Sequence, residues 1–116
     1  MTRNLRFCAL IVALTASTTF SLNVYALPTH QQTFTGEVGD SMCGKKHMEG
    51  ESAAECTRAC VAHGSNYALV VGEKVYTLQT SDKVALATLD KQAGKNVSVT
   101  GTLDGDTISV TSVVAK

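Results

Sequence analysis

Cys43, His47, Cys56 and Cys60 gather three thiols and an imidazole into one short polar stretch, spaced C-x3-H-x8-C-x3-C. Thiolate and imidazole are soft or borderline donors, and four at this density suit a metal, zinc or copper(I). A zinc site of this kind is closed and tetrahedral, with Zn–S near ~2.3 Å and Zn–N near ~2.0 Å and no open position for catalysis. The same residues equally suit a disulfide from Cys43 to Cys56 or to Cys60, which would tie a loop to a helix and leave one thiol over. Closing a loop of that length adds on the order of 3 kcal/mol. Thiol–disulfide exchange is a third chemistry, with His47 or His63 as a base beside an attacking cysteine. The spacing weighs against it: there is no C-x2-C pair, and Cys56 and Cys60 stand inside a helix, away from the N-terminus where a thiol pKa falls most.

Two residues stand outside the four as outer candidates. Asp40 precedes the loop and could accept from His47 to orient its ring, although a loop aspartate more often bonds its own backbone in a turn. His63 lies beyond Cys60 on the same helical stripe. Met42 and Met48 flank the loop and add thioethers to the copper(I) option, although such methionines usually fill gaps.

The elements that must position these groups follow from periodicity and turn chemistry. Thr33 to Val38 alternates, with Phe34, Gly36 and Val38 on one face, and predicts a strand. Gly39 to Glu51 has no apolar period and reads as the loop that carries Cys43 and His47. Ser52-Ala53-Ala54-Glu55 is a capping box, so a helix starts there, sets Cys56 and Cys60 one turn apart on one face, and stops at Gly64. Asn66–Val71 and Lys74–Leu78 predict two strands joined by Gly72-Glu73. Ser81 can cap a second helix whose Leu86, Leu89 and Ala93 face the core, ended by Gly94. Val97, Val99 and Leu103, an Asp104-Gly105 hairpin signal, then Ile108, Val110 and the Val113-Val114 pair complete two more strands. Five strands with a helix between the third and fourth predict a mainly β domain, an OB-like Greek-key barrel with the cysteine-bearing helix inserted after strand one.

Around this domain the chain carries export features. Arg3 and Arg6, the apolar run Phe7 to Leu14 and the small residues of Val24-Tyr25-Ala26 read as a signal peptide over 1–26, cleaved after Ala26 and taking Cys8 with it. Residues 27–32 form a flexible leader and 33–116 the OB-like domain. The apolar run is far shorter than the roughly 20 residues of a membrane-spanning helix, so no stable insertion is expected after cleavage. The formal net charge of +0 lacks a basic footprint, and the three tyrosines and three phenylalanines of the whole chain are too few for a stacking platform, which excludes nucleic acid as a partner. An export signal with thiols implies a periplasmic or secreted protein, where cysteines are commonly paired, metallated or redox active.

Thr35-Gly36-Glu37-Val38, Asp40-Ser41-Met42-Cys43, His47, Glu55-Cys56-Thr57-Arg58-Ala59-Cys60-Val61, Tyr67-Ala68-Leu69-Val70 and the closing Val97 to Thr102 segment together carry a resemblance. On these residues the chain is similar to small exported bacterial proteins of uncharacterised function, OB-like, with an Asp-Ser-x-Cys loop and a Cys-Thr-x-x-Cys-Val helix. The resemblance spans nearly the whole mature domain and implies a periplasmic or secreted protein of Gram-negative type, without importing an activity. The expectation is a non-enzymatic binding module for an unknown small ligand or envelope protein, with a Cys3His metal site or a disulfide-pinned loop. Its rivals are a periplasmic thiol redox protein and a structural domain that docks onto an envelope partner.

Overall fold

The computed structural model describes residues 30–116. The expected signal peptide and the start of the leader lie outside the described residues. The elements run β1 (Gln31–Asp40), α1 (Ala53–Ala62), β2 (Tyr67–Val71), β3 (Lys74–Gln79), α2 (Lys83–Lys91), β4 (Asn96–Asp104) and β5 (Thr107–Ala115). Among the described residues the fold is mainly β: five strands form one sheet that closes into a ring in the order β1-β2-β3-β5-β4. Between the described strands the β3–β5 seam is parallel and the other seams are antiparallel.

The long first strand closes the ring. Its residues Gln31 to Glu37 pair with β4, while Glu37 to Asp40 pair with β2, so one strand serves both edges. At the changeover the backbones pass so closely that a Cβ on Gly36 would stand 2.3 Å from the Val70 carbonyl oxygen; only glycine fits there. Alternation sends Val38, Leu69, Val97, Val99 and Ile108 into the ring, where they join Tyr67, Leu78 and Leu89 in one buried core. Among the described residues no helix is long and apolar enough to cross a membrane.

Both helices start and stop for local reasons. At α1 the Ser52 hydroxyl accepts from the Glu55 amide at 3.3 Å, while the Glu55 carboxylate accepts from the Ser52 amide at 3.2 Å, the expected capping box. At its end the Ser65 amide donates to the Cys60 carbonyl and the Gly64 amide to the Val61 carbonyl, with Gly64 at φ 101°: a Schellman motif that needs the left-handed residue. For α2 the cap is Asp82 and not Ser81. Its carboxylate accepts from the Val84 amide at 2.9 Å, and a negative charge suits that terminus better than a hydroxyl.

Two further expectations are corrected, and the last strand, which includes the Val113-Val114 pair as expected, carries an irregularity. β1 begins at Gln31 and runs on to Asp40, because pairing with β4 and Tyr67 extends the ladder at both ends past the alternating stretch. Leu86 is exposed and Ala85 takes its place, since Ala85 and Leu89 are the i, i+4 pair that faces inward. Val113 packs on the core while Val114 is exposed, because a bulge opposite Thr100/Gly101 shifts the alternation of β5 by one residue.

Candidate metal centre

Asp40, the last residue of β1, shares its inward face with Val38 and is fully buried. Its Oδ2 accepts from the amides of Met42, at 3.0 Å, and Cys43, at 2.9 Å, and its carbonyl accepts from the Gly44 amide at 2.9 Å. This tight turn brings Cys43 back towards α1. The Ser41 amide donates to the Asn66 carbonyl and the Ser41 hydroxyl accepts from the Asn66 amide, which fixes the turn against the entry to β2. On α1 the i, i+4 spacing lines up Cys56 and Cys60 on the side that meets β1.

The three sulfurs therefore converge. Cys43 Sγ lies 3.6 Å from Cys60 Sγ and 3.8 Å from Cys56 Sγ, and with an Asp40 carboxylate oxygen all four ligand atoms lie within 4.8 Å of one another. Donors about 2.3 Å from a tetrahedral zinc stand about 3.8 Å apart, so the sulfur spacing matches the edge of such a tetrahedron. No disulfide joins the three cysteines, and all three thiols are free.

The environment is short of partners for its polar atoms. Asp40 Oδ1 is buried with no hydrogen-bond partner, as is Thr57 Oγ1 next to Cys56. The hydrogen bond to Cys43, then burial and the Asp40 charge, push the Cys60 thiol up to about 12. For Cys43 the hydrogen bond from Cys60 lowers the pKa, but the bond to Cys56, burial and the Asp40 charge outweigh it and the net direction is up. A cation is what would relieve this crowd of electron-rich atoms.

The fourth donor differs from the expected one. His47 does not join the cluster: its Nε2 lies 3.7 Å from Glu37 Oε1, and its buried Nδ1 has no partner. The reason is geometric. Glu37 sits on the opposite face of β1 from Asp40, and after Gly44 the loop continues along that outer face, where Lys45 also pairs with Glu73. Asp40 therefore serves as a member of the cluster and not as an acceptor for His47, while also making the ordinary backbone turn. His63 is the exposed C-cap of α1 and stays outside the cluster. The sequence carried a signal for Asp40, since it continues the Phe34, Gly36, Val38 period into the core face, where a bare carboxylate demands a partner.

Compared with family models, curated proteins and solved structures, the chain finds no match in any of the three.

Proposed function

We propose that this chain is a small exported binding module whose loop and first helix are pinned by one zinc ion held through Cys43, Cys56, Cys60 and Asp40. The observation that carries the reading is the unpartnered, buried Asp40 Oδ1 beside three thiols spaced as zinc ligands are. A hard carboxylate oxygen among the donors favours zinc over copper(I). Met42 and Met48 are 73% and 51% exposed, which takes support from a thioether-rich copper site. Four protein ligands leave no open coordination position, so the ion is structural.

The strand order β1-β2-β3-β5-β4, with α2 between the third and fourth strands, supports an OB-like Greek-key reading of the ring. In that architecture the loop after strand one borders the ligand face, so the pinned loop and α1 form the surface that meets a small ligand or an envelope protein. Thiol redox catalysis is less favoured, because a catalytic thiol needs a depressed pKa and both half-exposed thiols are raised.

The test is intact mass spectrometry of the exported protein under native and denaturing conditions, with thiol alkylation. One zinc per chain, lost on denaturation together with full alkylation of Cys43, Cys56 and Cys60, is the expected result. Asp40→Asn weakens retention and His47→Ala leaves it unchanged. A fully reduced protein whose native mass carries no ion after exposure to zinc overturns the reading.

A further inference from the structure

Within the cluster the three cysteines are not equivalent. Cys56 is completely buried on the inner side of α1, whereas Cys43 and Cys60 are partly exposed. The two accessible sulfurs stand 3.6 Å apart, closer than Cys43 and Cys56 at 3.8 Å. Cys43 belongs to a loop and Cys60 to the last turn of α1, so the pair joins two chain segments that can approach each other. Cys56 and Cys60 lie on one helical turn, where a bridge is sterically demanding.

We infer that the zinc site, resting on the reading above, is released by oxidation: a disulfide-bearing oxidant converts Cys43 and Cys60 to a disulfide and thereby frees the ion. One accessible thiolate attacks the S–S bond of the oxidant RSSR, forming a mixed disulfide and expelling RS⁻. The other thiolate attacks the protein sulfur of that intermediate, forming the Cys43–Cys60 bond and expelling the second RS⁻. Two protein thiolates are oxidised by two electrons in all, one external disulfide is reduced to two thiols, and the two RS⁻ take up solvent protons. Cys56 and Asp40 remain as donors, too few to hold a tetrahedral ion. The bridge keeps the loop on α1, so the fold survives the loss of metal. The site thus has two pinned states, one metallated and one oxidised, selected by the thiol–disulfide poise of the surroundings.

The experiment starts with the reduced exported protein and zinc alone, counted by native mass spectrometry. Oxidised glutathione is then added, zinc release is followed with a chromophoric chelator, and the bridge is located by peptide mapping. Expected are loss of the bound equivalent in step with a Cys43–Cys60 bridge, Cys56 left alkylatable, and recovery of zinc binding after a thiol reductant. Cys60→Ser abolishes the bridge and stops at a mixed disulfide with glutathione, while Cys56→Ser still forms the Cys43–Cys60 bridge. In the parent protein, retention of zinc after oxidation, a bridge that involves Cys56, or a persistent glutathione adduct overturns the switch and leaves the metal site standing. A reduced protein that binds no zinc overturns the metal reading, and the switch with it.

Discussion

The two helices have nearly the same length, 10 residues in α1 and 9 in α2, and both are capped at the N-terminus by an oxygen side chain, yet they dock by different physics. α2 turns Ala85 and Leu89 inward, and Leu89 is part of the apolar core of the ring. Burying a leucine is worth about 1.5–3 kcal/mol, so α2 holds its place by the ordinary hydrophobic effect. The fully buried residues of α1 are Cys56 and Thr57. The first is a small thiol, and the second buries a hydroxyl oxygen that has no partner. Val61 also packs on the core but is only partly buried, so α1 gains less from apolar burial than α2 does and is penalised for its orphaned hydroxyl. On the proposed reading, an ion held by the sulfurs and Asp40 makes up the difference.

This contrast can be broken at either helix. Leu89→Ala should cost about 2–5 kcal/mol, and the loss should be global, with protection of the whole ring against amide hydrogen exchange falling together. Chelation of the zinc-loaded protein should remove about 2.7 kcal/mol when free zinc had stood at a hundred times Kd, with the first loss of protection in residues 41–62 while α2 stays protected. If α1 and α2 lost protection together on chelation, the two helices would not differ as argued. Thr57→Val sharpens the same point in the opposite direction. It keeps the shape, removes the unpartnered oxygen, and should raise the denaturant midpoint by an amount equivalent to about 1–2 kcal/mol in the reduced protein. A destabilised Thr57→Val would mean that the hydroxyl has a partner after all, such as an ordered water.

Much of this contrast was legible in the residues. The Ser52/Glu55 box and Gly64 bound α1 correctly, because capping chemistry is local and no tertiary contact is needed to recognise it. The i, i+4 pair Cys56/Cys60 fixed two of the converging sulfurs, and Cys43 followed as the nearest loop thiol. The fourth member of the cluster was legible only in part: the period of β1 aims Asp40 inward, but does not say that the strand reaches it. The choice turned on where β1 ends, and that end is set by pairing of Asp40 with Tyr67, a contact across 27 positions of chain that no window along the sequence sees. Two extra residues of strand put Asp40 in the core and carry His47 past it to the other face. The exchange of Ala85 for Leu86 and the split of Val113 from Val114 have the same origin. Helix rotation and strand bulges are settled by what lies opposite, not by the pattern alone.

One residue links the two helices across their difference. The Asp90 carbonyl, near the end of α2, accepts from Arg58 of α1 at 3.1 Å and 2.8 Å, and Asp90 Oδ1 accepts from the Tyr67 hydroxyl at 3.2 Å. Burial first, and then the Asp90 charge, push the Tyr67 phenol up from its ordinary pKa. A folded-state pKa above the unfolded one means that the neutral phenol contributes stability in full below the unfolded value, about 10, and that this contribution fades as pH rises through the higher folded value. Tyr67→Phe should therefore cost about 1 kcal/mol at neutral pH, the worth of one hydrogen bond. The gap from the parent protein should narrow as pH climbs above about 10, because only the parent gives up an extra proton from this site on unfolding. Other alkaline titrations occur in both proteins and cancel in the difference, provided they do not couple to the phenol. A gap that stayed constant or widened across that range would place the Tyr67 hydroxyl in water rather than on Asp90, and would remove this side-chain tie between β2 and α2.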